Sequence, residues 1–273
     1  MNEATRTKLF GVLVLVGQPV SSREMVELCR PLGLSATNVK SHLTRLVSEG
    51  ALVRSGPNRM HLYSVSPERQ ELVDALSSRL RQQPDERWDG QWLMIALKRE
   101  TRRPERERLK RSLWFDGFRP CAKDTVLRPA WPRSWAITRA ESLTSSLAAC
   151  VMGPLVGTLD LAQVRKLYRL TDMDARARRL TSRITAIGKK IDTPEQAFVA
   201  RLAVGGMMVE LVSHVPRLPA EIWGPLSGLR EARSAYSAFE PRVAGASEHF
   251  VASVLENRAT AGPRQRRTGG ADR

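Results

Sequence analysis

The stretch SSREMVELCRPLGLSATNVKSHLTRLVSEGALVRSGPNRMHLYSVS, residues 21–66, constrains the fold more than any other part of the chain. Its punctuation predicts a helix over 22–30, a tight turn from Pro31 to Leu34, and a second helix capped by Ser35; a further helix is expected ahead of it, over 5–16. On the second helix Val39, Leu43, Leu46 and Val47 fall on one side by spacings of four, three and one, while Thr37, Ser41, Arg45 and Ser48 fall on the opposite side. The apolar side is expected to pack against the other two helices. The outward side, flanked by Asn38 and Lys40, is short, hydroxyl-rich and basic, and such side chains donate to phosphates and base edges in a major groove.

The segment GALVRSGPNRMHLYSVS has the form of a hairpin, with Leu52 and Val53 in one strand, GPNR at the turn, and Met60 and Leu62 alternating with Arg59, His61 and Tyr63 in the other. A hairpin directly after such a helix is a wing. Arg54 and Arg59 sit near its tip, within reach of phosphate or a narrow minor groove. The expected DNA-binding residues are therefore Ser35, Thr37, Asn38, Lys40, Ser41, Arg45, Arg54 and Arg59. The competing account is a dimerisation module whose arginines are simply solvated.

Charge points the same way. Lys and Arg number 44 against 28 Asp and Glu, a net +16, and each phosphate that such a surface neutralises releases condensed counterions. Nearly all of this charge is Arg, which a compositional bias also produces, so charge alone does not select nucleic acid. No run of eighteen apolar residues is present, and the N-terminus lacks a signal-peptide pattern, which leads us to expect a cytoplasmic chain without a membrane partner. The three cysteines, Cys29, Cys121 and Cys150, are odd in number and far apart, suggesting buried thiols rather than disulfides or a zinc site.

Punctuation also divides the chain. Residues 1–84 form a first unit ending in a helix with Ser66 as N-cap and Pro67 at its first position, closed by Pro84. In residues 85–136, WLMIALK reads as a strand, RPERERLKRSLWFDG as a helix with Leu109, Leu113 and Trp114 inward, and TVLRPAWP as another strand, suggesting a small sandwich of helices on a sheet. Residues 137–256 read as helical, with breaks at Gly153-Pro154, Pro194 and HVPRLPAEIWGP. The basic, Gly-rich and aromatic-free tail, 257–273, is expected to be disordered.

The segments GVLVLVGQPV through HLYSVS, RERLKRSLWFDGF, LYRLTDMDARARRLTSRI, AFVARL and SHVPRLPAEIWGP, in this order over much of the chain, resemble the phenylacetic-acid catabolism repressor family, PaaX. The resemblance implies a transcriptional repressor that binds a palindromic operator as a homodimer and releases it on binding an acyl-CoA thioester. It also implies a ferredoxin-like central unit. The expected fold class is thus α+β, with an N-terminal winged helix-turn-helix, a small ferredoxin-like α/β sandwich and a mainly helical C-terminal domain. The chain departs from the family where GFRPCAKDTVLRPAW replaces a Gly-x-Trp strand, and where Gly206, Val209 and Val215-Pro216 stand at positions that the family often fills with polar groups or Asp-Pro. These departures leave the effector and its binding residues unassigned.

Other chemistries are weaker. A nuclease on the central sheet would want a carboxylate at the end of its first strand, where Lys98 and Arg99 stand, with Glu100 two residues late. His42, His61, His214 and His249 lack partners at metal spacing, so no cofactor, metal or catalytic residue is assigned. The arginines of RARRLTSR, Arg176 to Arg183, match phosphate bidentately but equally suit a solvated helix face, and the six tryptophans suit core and seams. Two functions remain: an effector-responsive repressor, or a non-specific nucleic-acid-binding or architectural protein.

Overall fold

The structure, a computed structural model, describes residues 3–56, 61–81, 87–98, 103–143, 147–154 and 160–260. It is a mixed α+β fold, mainly helical, with two small antiparallel sheets and a helical C-terminal region. By contact the chain forms two compact units, residues 1–75 with 184–207 and 236–273, and residues 76–183 with 208–235.

The first unit starts with α1 (Glu3–Val16), β1 (Val20–Ser21), α2 (Ser22–Cys29), a 3-10 turn (Arg30–Leu32), α3 (Ala36–Ser48), β2 (Leu52–Ser55) and β3 (Leu62–Val65). Helix α2 is held at its start by a capping box: Ser21 Oγ accepts the Glu24 N–H and the Glu24 carboxylate accepts the Ser21 N–H. Gly33, at φ 74°, makes the left-handed step that lets α3 leave the turn, a conformation costly for any residue with a Cβ. Ser35 then caps α3 through the Asn38 N–H at 3.3 Å. Helix α3 buries Val39, Leu43 and Leu46, each contributing about 1.5–3 kcal/mol as an upper estimate, so packing outweighs the cap of about 1 kcal/mol in holding it.

Strands β2 and β3 pair antiparallel, as the hairpin reading expects, while β1 adds a third strand on the other side of β3 that the sequence did not disclose. The turn at 57–60, with Arg59, lies outside the described residues. These elements do not make their core alone. Leu9, Val12, Leu28, Leu43 and Leu46 share one cluster with buried Phe198 and with half-buried Leu202, Phe250 and Val254. A Cβ on Gly11 would sit 2.8 Å from Leu202 Cδ1, so α1 approaches that side chain closely and a larger residue there would displace the end of Leu202. Helix α4 (Pro67–Arg81) follows β3. Ser66 stands at the N-cap position with Pro67 first in the helix, as expected, and its carbonyl accepts the Gln70 N–H, but its hydroxyl is buried without a partner among the described residues.

The second unit contains β4 (Gln91–Leu97), α5 (Arg103–Phe115), β5 (Arg119–Ala122), β6 (Thr125–Pro129), α6 (Arg133–Ser142) and β7 (Leu147–Pro154). The strands lie in the order β5-β6-β4-β7 with every neighbouring pair antiparallel. Alternation along β4 sends Leu93, Ile95 and Leu97 into one cluster with Leu113, Phe118, Ala136 and Leu143. Trp92 points the other way, into a cluster with Leu127, Tyr168, Leu170, Ile222 and Trp223. The chain continues through α7 (Leu161–Leu167), α8 (Leu170–Gly188), α9 (Pro194–His214), α10 (Ala220–Trp223) and α11 (Gly228–Thr260).

Several expectations change. Residues 147–154 are a strand, not part of a helical region: LAACVMGP is apolar without clear periodicity, and pairing with β4 along its whole length decides its state. The sheet therefore runs well past residue 136. Trp114 is not inward; it is 52% exposed. Cys29 is buried as expected, but Cys121 and Cys150 are exposed on sheet-edge strands. The tail is helical through Thr260, and its remainder lies outside the described residues. Helix α9 is long and apolar enough, by length and composition, to cross a membrane; its apolar residues Phe198, Val204, Met208 and Val212 are buried within the protein.

Candidate nucleic-acid interface

The face of α3 opposite Val39, Leu43 and Leu46 lies open. Thr37, Asn38, Lys40, Ser41, Thr44, Arg45 and Ser48 are all exposed, as the helical spacing requires. Their hydrogen-bonding capacity is unequal. The Thr44 hydroxyl donates to the Lys40 carbonyl at 3.2 Å and the Ser48 hydroxyl to the Arg45 carbonyl at 2.8 Å, so both are committed to the helix itself. The side chains of Thr37, Asn38, Lys40, Ser41 and Arg45 have no hydrogen-bond or ion-pair partner among the described residues. Ser35 is exposed but occupied, its oxygen accepting the Asn38 N–H. Arg54 is exposed on β2, opposite Tyr63. Arg59 falls among the residues outside the described set.

The expected site residues therefore divide into an open set on α3, an exposed cation on β2, and Ser35, whose oxygen already accepts a backbone N–H. The sequence reading missed Arg23. It is exposed at the start of α2 without a partner among the described residues, where a cation can meet phosphate. Its position in the first turn of the helix, just after the capping Ser21, was the available signal. Negative charge near α3 is drawn off by a pairing at its C-terminus, where Arg6 meets Glu49 at 3.0 Å.

A second feature lies within the second unit. The end of α5, the start of β5, helix α8 and the end of α9 enclose a cavity of about 490 Å³. Trp114 and Phe115 line it while remaining 52% and 72% exposed. Its cations are Arg119, Arg169, Arg176 and Arg179, and its carboxylate is Asp172. Arg169 is matched by Asp172 at 2.8 Å, and Arg176 faces Glu210 at 3.6 Å. Arg119 is only 3% exposed: its Nη1 donates to the carbonyls of Phe118 and Trp114 at 2.8 and 3.2 Å, and its guanidinium lies 3.6 Å from the Trp114 ring centroid. Burial pulls its pKa below the ordinary arginine value, which the nearby Tyr168 opposes.

Arg128 braces this cavity from behind. It is 1% exposed and donates to the carbonyls of Asp116, Pro129, Trp131 and Arg217, with Trp135 stacked 4.0 Å away. Asp116 and Arg217 directly follow the lining residues Phe115 and Pro216, so one buried guanidinium ties two wall segments together. Burial pulls its pKa down to about 10, still leaving it charged at neutral pH. Among the described residues no group of three or more His, Cys, Asp or Glu is placed to hold a metal ion.

Comparison with known proteins bears on the first feature. The family described as PaaX-like protein matches residues 7–69, from α1 to the start of α4, in agreement with the resemblance read from the sequence. No curated protein matches the chain. Among solved structures, an uncharacterized protein from Mycobacterium tuberculosis is similar at 21% identity, with a TM-score of 0.60, over 88% of this chain and 95% of that one. That likeness is one of fold, and it spans most of the chain.

Proposed function

We propose that the protein is a DNA-binding transcriptional regulator in which α1 to β3 act as a winged helix-turn-helix and α3 enters the major groove. The observation that carries this reading is the uncommitted face of α3. Thr37, Asn38, Lys40, Ser41 and Arg45 are exposed together with spare donors, on a helix whose other side buries Val39, Leu43 and Leu46, in the segment that matches the PaaX-like family. Arg54 and the wing tip position the domain by phosphate contact, and Arg23 grips the backbone from α2. The βαββαβ order of β4 to β7 supports a ferredoxin-like central layer.

A single winged helix offers little contact surface, so a homodimer reading two half-sites spaced by whole helical turns is part of the proposal. So is repression relieved by an effector. The resemblance implies an acyl-CoA thioester, while Gly206 and Val209, standing where the family often has polar groups, argue against the phenylacetyl form. The net charge of +16 favours a second reading, a nucleic-acid binder without sequence choice. Genomic footprinting with the purified protein separates the two. A regulator protects discrete fragments and holds them against excess random DNA at physiological salt. A non-specific binder is displaced in proportion to competitor, and that result would overturn the proposal.

A further inference from the structure

The cavity of the second unit retains charge that the protein does not neutralise. Arg169 and Arg176 have carboxylates of their own, Asp172 and Glu210. Arg119 and Arg179 have none within ion-pairing distance among the described residues. Arg119 is only 3% exposed; two backbone carbonyls and the Trp114 ring meet its guanidinium, but no carboxylate offsets its charge, and a guanidinium withdrawn from water without a counter-charge gains when an anion reaches it. At the same end, Trp114 and Phe115 hold large apolar surfaces open to solvent inside a concave wall. That surface gains free energy when a flat apolar group covers it. The volume, about 490 Å³, is in the range that encloses a small organic ligand.

We propose that this cavity binds a compact, ring-bearing organic dianion, such as an aryl phosphate monoester or an aromatic dicarboxylate, with the ring on Trp114 and Phe115 and the charge shared by Arg119 and Arg179. A coenzyme thioester fits less well. Its pyrophosphate and additional phosphate carry more negative charge than these two uncompensated arginines match, and its nucleotide needs more room. Braced by Arg128, the walls formed by Phe115 and Pro216 present this arrangement before ligand arrives. That the ligand also controls DNA release rests on the proposed regulator function; that it binds does not.

The test is isothermal titration calorimetry of the full chain with phenyl phosphate, benzoate, inorganic phosphate and phenylacetyl-CoA. Phenyl phosphate binds saturably at one site per chain. Benzoate, lacking the second charge, and inorganic phosphate, lacking the ring, each bind about tenfold more weakly or less. Arg179→Ala, at an exposed position that leaves folding intact by circular dichroism, weakens phenyl phosphate about tenfold, and Phe115→Ala weakens phenyl phosphate but not inorganic phosphate. The proposal is overturned by an absence of saturable heat with phenyl phosphate, by equal affinity for inorganic phosphate, by indifference to Arg179→Ala, or by tighter binding of phenylacetyl-CoA. The DNA-binding reading has its own readout: operator retention by the ligand-free protein is unaffected by any of these results.

Discussion

Residues of one type take opposite roles here, for reasons that lie in their partners. Trp92 is buried because β4 turns it into an apolar cluster, whereas Trp114, near the end of α5, lies open against Arg119. Arginine is ordinarily a surface residue, yet Arg128 is among the most buried side chains because four carbonyls and an aromatic face accept its donors. Neither placement was legible in sequence, since both depend on contacts between distant segments. The open face of α3 was legible, because a helix's own spacing fixes which side chains share a side. The cysteines give a direct check. Burial pushes the Cys29 thiol up to about 12, while Cys121 and Cys150 are raised above the ordinary value by partial desolvation but remain exposed. With Ellman's reagent at pH 8, two thiols of the folded protein react and the third reacts only in guanidinium; rapid reaction of all three would contradict the burial of Cys29.

At the scale of elements, sequence was most informative where local signals agreed. The serine cap and apolar stripe of α3, together with the turn from Pro31 to Leu34, placed α2 and α3. It was least informative where pairing decides: β1 has only two residues, β5 only four, and β7 becomes a strand because β4 offers an edge. Ser66 carried a cap signal without using its hydroxyl. The cap on α3 is expected to matter for stability more than for recognition. Ser35→Ala should cost about 1 kcal/mol in urea unfolding followed by far-UV circular dichroism, with a smaller loss of DNA affinity than Arg45→Ala. Equal losses of affinity would place Ser35 on the DNA rather than on the helix.

For the whole molecule, the division read from punctuation and the division by contact differ. Sequence cuts the chain into consecutive pieces, but the first unit completes its core with residues from 184–207 and 236–260. No local signal in α9 or α11 announces this, since their apolar residues are equally suited to any neighbour. A fragment of residues 1–84 loses Phe198, Leu202, Phe250 and Val254 from the shared cluster, so it should unfold at markedly lower urea than the full chain and bind DNA poorly. A fragment as stable and specific as the intact protein would show that the shared cluster contributes little. The excess of positive charge belongs to this scale as well, because it sets the salt dependence of binding without choosing a sequence.

The central claim is that the exposed face of α3 reads DNA, and fluorescence anisotropy on a fragment recovered by footprinting tests it most directly. Wild-type protein and Arg45→Ala are titrated onto that fragment and onto random duplex at about 150 mM salt. Arg45→Ala should lose about 1–3 kcal/mol on the preferred fragment, roughly 5- to 150-fold in Kd, with a much smaller change on random duplex and a relaxed preference at one operator position. Equal losses on both DNAs, or no loss on either, would contradict the placement of α3 in the major groove.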